Sequence, residues 1–195
     1  MATLIELLNG NAPNIQSIGE HLDALSPNER LEQTRALRRG HQRLLFDIAN
    51  GFKPVSTADI VGTNVPAMTE VVHNGKNSLP LFTRFAKVFV RPEASSNELW
   101  GYNRNSAFLE TVVGPGYFVA RNHSVPGEVL VDYLEVPPSK PAAWPEIISN
   151  SSRLSYFVYN QTQDILRGVS KHVSIGRATK RGKDLPAWFV LCKEG

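Results

Sequence analysis

The side chains best suited to proton transfer, metal binding or nucleophilic attack are few. They are five histidines, at positions 21, 41, 73, 123 and 172, and one cysteine, Cys192. The histidines lack the local spacing of a metal site, and there is no cysteine pair, so no metal centre is expected. The densest polar stretch is His73-Asn74-Gly75-Lys76-Asn77-Ser78. In it, His73 could act as a general acid or base while Lys76 holds an anion. Asn-Gly is also the strongest short hairpin signal, so the same stretch reads as a solvated turn. His41 falls between Leu37 and Leu44-Leu45 on the apolar face of an expected helix. A ring there either finds a structural partner or lines a cavity between helix and sheet. His41 and His73 are therefore the catalytic candidates.

Familiar nucleotide and hydrolase motifs are missing. There is no Gly-x-x-x-x-Gly-Lys-Ser/Thr loop, no Gly-x-Gly-x-x-Gly opening a helix, and no Gly-x-Ser-x-Gly elbow. Gly114-Pro115-Gly116 is followed by strand-like residues and reads as a turn. The aromatics of Trp100-Gly101-Tyr102 and Tyr117-Phe118 alternate with Arg84, Lys87, Arg91 and Arg104. Such a pattern can stack and hold single-stranded nucleic acid. It is equally what an antiparallel sheet with one buried and one wet face produces, and the middle of the chain is not net basic. Arg177 shares a strand face with Val173 and Ile175, which hints at a charge that needs a partner.

These residues need elements to position them. Ser26-Pro27-Asn28-Glu29 carries an N-cap, a proline for the first turn and a capping glutamate. One helix is predicted over 26–49, stopped by Asn50-Gly51, after a segment of turns and short helical pieces over 1–25. Strands are expected within 69–136, including 69–72, 81–90, 98–102, 108–113, 117–121 and 128–136, and tight turns make them antiparallel. The four prolines of 137–145 mark an extended crossover. Leu154, Val158, Thr162, Ile165 and Val169 recur at helical spacing and predict a second helix over 153–168. A hairpin closes the chain at 172–192. Together they give one α+β domain over 26–195: a curved, mainly antiparallel sheet or partial barrel of six to eight strands with two principal amphipathic helices packed on it.

Composition is that of an ordinary globular chain: 195 residues, 42% hydrophobic, 20% charged. The formal charge of +3 is concentrated at the end, where the last 29 residues carry seven Lys/Arg and two Asp/Glu. Cys192 cannot make an internal disulfide and sits in an apolar run, so it is expected to be buried and unreactive. The first eight residues lack a basic n-region and Glu6 interrupts their apolar character, which argues against a signal peptide. No apolar run approaches the roughly 20 residues of a membrane helix. The expectation is a cytoplasmic protein with no membrane association.

The functional expectation is a binding module that encloses a small organic or lipid-like ligand in an apolar pocket between sheet and helices. His41, Arg84, Tyr102, Tyr117 and Arg177 are its expected polar contacts. A proton-transfer enzyme of isomerase, hydratase or cyclase type, using a pocket histidine, is the alternative. A structural or partner-binding protein is the next, and nucleic-acid binding ranks last. No cofactor is specified, and a homo-oligomer is compatible with the sequence.

Overall fold

A computed structural model describes residues 2–80, 83–93, 97–105, 114–147 and 161–194. Eight antiparallel strands close into a barrel, each paired with its neighbours in sequence. They are β1 (Val71–Asn77), β2 (Arg84–Val90), β3 (Glu98–Arg104), β4 (Tyr117–Asn122), β5 (Glu128–Asp132), β6 (Thr162–Gly168), β7 (Val173–Lys180) and β8 (Lys183–Lys193). β8 returns to β1, with His73 opposite Lys193 and Asn77 opposite Phe189. The α+β fold with a curved antiparallel sheet is therefore present, and the curvature runs to full closure, which leaves no edge strand.

Five helices precede the barrel: α1 (Leu4–Asn9), α2 (Ile15–Ala24), α3 (Pro27–Arg35), α4 (Arg39–Ile48) and α5 (Thr57–Val61). None of the described helices is long and apolar enough to cross a membrane. Ser26 and Glu29 form the expected capping box, with Pro27 in the first turn. The single helix expected over 26–49 is broken. Thr34 Oγ1 bonds back to the carbonyls of Arg30 at 2.9 Å and Leu31 at 3.0 Å, which loosens the end of α3. Arg38 is extended, and α4 restarts beyond it. The break sinks Leu37 into the core and lets both helices lie against the barrel, α3 on β8 and β1, α4 on β8 and β7.

Two further expectations are corrected. Residues 162–168 are strand β6, seated between β5 and β7, and not the end of a helix; positions 153–160 lie outside the described residues. The helical spacing of Leu154 to Val169 competed with a strict alternation over 162–168, where Thr162, Asp164, Leu166 and Gly168 are buried and the residues between them half-buried. Barrel closure needs a strand there, and tertiary pairing overrides the local period. Likewise Asn74-Gly75 is no hairpin tip. β1 runs through it, and Gly75 faces Phe85 across the sheet. A Cβ on Gly75 would stand 2.6 Å from the Phe85 ring, so the glycine serves close approach rather than a turn. The strand expected at 108–113 lies outside the described residues, while the C-terminal hairpin is present as β7 and β8.

Three apolar clusters hold the fold. Helices α1 to α4 bury Leu4, Leu8, Ile18, Leu22 and Leu45 against the outer face of β7 and β8, where Ile175, Val190 and Cys192 lie. Cys192 is buried, as expected, and burial raises its thiol pKa. On the outer face of β2 to β4, Val88, Trp100, Tyr102, Tyr117 and Val119 pack with Trp144 from the proline-rich crossover. The third cluster fills the lumen: Phe89, Leu99, Phe118, Ala120, Val129, Val131, Leu166 and Leu191, closed at one end by Ile60 and Val61 of α5.

Candidate functional site

Strand alternation and register fix what faces the lumen. β1 contributes His73 and Gly75, opposite Lys87 and Phe85 of β2. Asn103 of β3 stands opposite Lys87 on the other side. β6 contributes Asp164, between Val131 of β5 and Ala178 of β7. A lysine thus projects into an apolar barrel, and only 2% of its side chain is exposed.

Every hydrogen of its ammonium has a partner. Lys87 Nζ lies 3.0 Å from Asp164 Oδ2 and 3.1 Å from Asn103 Oδ1, and it also donates to the Tyr133 hydroxyl. Tyr133 follows β5, so the four side chains come from four different parts of the wall. The Tyr133 hydroxyl accepts from Asn103 Nδ2 at 3.0 Å and donates to Asp164 Oδ2 at 3.3 Å. Asn103 Nδ2 also reaches the Gly116 carbonyl at 3.3 Å. Asp164 Oδ1 takes no hydrogen bond among the described residues, and Asp164 keeps 6% of its side chain exposed.

Four rings surround the ammonium: Phe118 and Tyr133 at 4.9 Å, Phe189 at 5.1 Å and Phe85 at 5.8 Å from Nζ. Each is within cation–π range. Room for them is made by glycine. Gly75 lies under Phe85, and Gly176 lies under Phe189, where a Cβ would overlap the ring. Burial pushes the Lys87 ammonium pKa down, opposed by Asp164; burial pushes the Asp164 carboxyl up, opposed by Lys87. The pair is therefore drawn toward sharing a proton, with Tyr133 bonded to both.

A second inward group, His73, is handled differently. His73 stacks edge-on to Phe89 at 5.2 Å, and its Nε2–H donates to the Ile60 carbonyl at 3.0 Å. Burial lowers its pKa to about 4, so the ring is neutral. The rings of His73, Phe89, Phe118 and Tyr133 follow one another at 5.2, 5.3 and 5.5 Å, a continuous apolar path from the α5 end to the lysine.

The residues expected to contact a ligand are not gathered at this cluster. His41 caps α4, its Nδ1 accepting from the Arg38 amide at 3.3 Å. Arg84 is exposed near the start of β2. Tyr102 and Tyr117 do meet, with ring centroids 5.7 Å apart, but on the outer face, where both pack on Trp144. Arg177 is also outside; it finds the partner its apolar neighbours called for in Asp184 at 2.8 Å and lies over the Trp188 ring. Sequence reasoning missed Lys87, Asp164, Tyr133 and Asn103. A signal existed for the first: in Phe85-Ala86-Lys87-Val88-Phe89 a period of two places the lysine between two phenylalanines.

Among the described residues no three His, Cys, Asp or Glu side chains are grouped to hold a metal ion. The cluster's equipment is one amine, one carboxyl, one phenol and one amide in an aromatic box. It can donate and accept hydrogen bonds, and it can move a proton. No family model matches the chain, and no curated protein or solved structure matches it either.

Proposed function

We propose that the protein is a binding module that takes a small organic molecule into the barrel, its apolar body against the lumen aromatics and its polar group on the Lys87–Asp164–Tyr133–Asn103 cluster. One observation carries this reading: a charged pair is desolvated inside an aromatic barrel. Burying an ion pair costs more than packing apolar side chains of the same size, so the pair points to a role beyond stability. An eight-stranded barrel is wide enough to be filled by side chains or to hold one small ligand. The described helices lie on the outer wall and at the α5 end.

Lys87 is balanced by Asp164, so the ligand need not be charged. The unfilled acceptor, Asp164 Oδ1, favours a ligand with a hydroxyl or amine donor. A cytoplasmic location accords with a single cysteine held as a buried thiol. Native mass spectrometry of the full chain, purified without denaturants, tests the proposal. The expected result is a bound organic species in the wild-type protein and its loss in Lys87→Met/Asp164→Leu. A bound species retained by the double variant contradicts it.

A proton-transfer enzyme is the second reading, favoured by the opposed pKa directions of Lys87 and Asp164 across one phenol. Of the two candidate histidines, His73 is buried with its Nε2–H on the Ile60 carbonyl and His41 caps α4. Under this reading Asp164→Asn keeps the ligand and abolishes turnover.

A further inference from the structure

A cavity lies at the α5 end of the barrel. There β7, β8 and β1 bring Ser174, Lys193 and His73 to the lumen face, while α5 packs mainly on the far arc, β2 to β4. The gap forms a cleft of about 150 Å³ whose wall includes Lys53, Asp59, His73, Lys171, Ser174 and Lys193. That is below the roughly 300–1,000 Å³ of a drug-sized pocket and suits a group of a few heavy atoms.

Three lysines line this cleft, and none of them ion-pairs with a carboxylate among the described residues; Lys193 Nζ reaches only the Asp59 carbonyl, at 3.1 Å. The acidic groups nearby are engaged. Asp59 accepts from the Ser56 amide and hydroxyl at 2.8 and 2.6 Å, and Asp23 accepts from the Lys171 amide at 2.9 Å. The Nε2–H of His73 is taken up by a hydrogen bond to the Ile60 carbonyl. Most telling is Ser174. The residue is 6% exposed, it lines the cleft, and its hydroxyl is buried without a hydrogen-bond partner among the described residues. Such a group is costly to keep, because a buried hydroxyl that gives up water needs a replacement.

We propose that this cleft binds a small oxyanion, a carboxylate or phosphate group, which accepts from Ser174 Oγ and is neutralised by Lys53, Lys171 and Lys193. The site is separate from the Lys87 cluster and stands whether or not that cluster takes a ligand.

Titration calorimetry of the full chain with inorganic phosphate and with acetate, in a buffer containing neither, tests it. At least one anion is expected to bind saturably, and which one does identifies the group. Lys53→Met/Lys171→Met should weaken binding about tenfold or more, since each lost charge-assisted contact is worth a comparable factor. Ser174→Ala should weaken binding several-fold while the melting temperature stays level or rises, because the variant removes an unpaired hydroxyl. Arg43→Gln, an exposed cation on α4, should leave binding unchanged. Absence of saturable binding with both anions overturns the proposal, as does equal affinity in the wild-type protein and the lysine double variant.

Discussion

Two inward side chains that face each other across the β1–β2 ladder solve the problem of burial in opposite ways. At the α5 end an inward histidine is buried, neutral and tied to one backbone carbonyl. The inward lysine opposite it is tied to three side chains from separate parts of the wall. A neutral ring on a carbonyl is a finished piece of core. An amine and a carboxyl sharing a phenol keep their capacity to titrate and to bind. Under the proposed function, the difference separates burial that completes a fold from burial that equips a site.

The largest effect should come from splitting the pair. Lys87→Ala or Asp164→Ala leaves a partner buried alone, with an expected loss of about 3–5 kcal/mol in urea unfolding. Lys87→Met/Asp164→Leu should recover most of it. A double variant as unstable as the singles would show that the pair is a structural necessity and erase the contrast between the two side chains.

His73 should give the next effect, and it depends on pH. Its folded pKa of about 4 lies below the unfolded value near 6.5. The unfolded chain therefore binds the proton first as pH falls, so stability is full above pH 6.5 and declines as pH drops towards 4. The total is about 3 kcal/mol from a shift of this size. Unfolding free energies measured across pH 4–7 should show the slope, and His73→Phe should flatten it. An unchanged slope in that variant would mean that the histidine is already satisfied as a cation.

Gly176→Ala should cost about 1–3 kcal/mol, because a Cβ collides with Phe189, one wall of the lysine's aromatic box. The same variant should weaken ligand retention if the box is part of the site. Arg84→Met marks the bottom of the scale. Its side chain is exposed, and a change within about 0.5 kcal/mol with ligand binding intact is expected.

The barrel's outline was legible because turns are written locally. Pro-rich and Gly-rich breaks delimit β2 to β5, and the last hairpin follows from two apolar runs about one basic turn. Closure was not legible. It depends on residues 162–168 joining β5 to β7, and that strand puts polar Thr162 and Asp164 on its buried face, so its alternation does not read as apolar-in, polar-out. The candidate site was missed for a related reason. Lys87 and Asp164 are 77 positions apart and look like surface charges until the register places both inside. Tyr102 and Tyr117, expected as ligand contacts, lie in the outer packing of Trp144, since alternation alone does not say which face of a curved sheet is concave.

The most direct measurement is a fluorescence titration of the full chain with 2-naphthol, an aromatic body carrying one hydroxyl donor. Saturable one-to-one binding to the wild-type protein, lost in a folded Lys87→Met/Asp164→Leu variant, is the result expected if the lysine cluster is a ligand site. Equal binding in both, or none in either beside a wild-type protein that carries no organic molecule from its host, would contradict it.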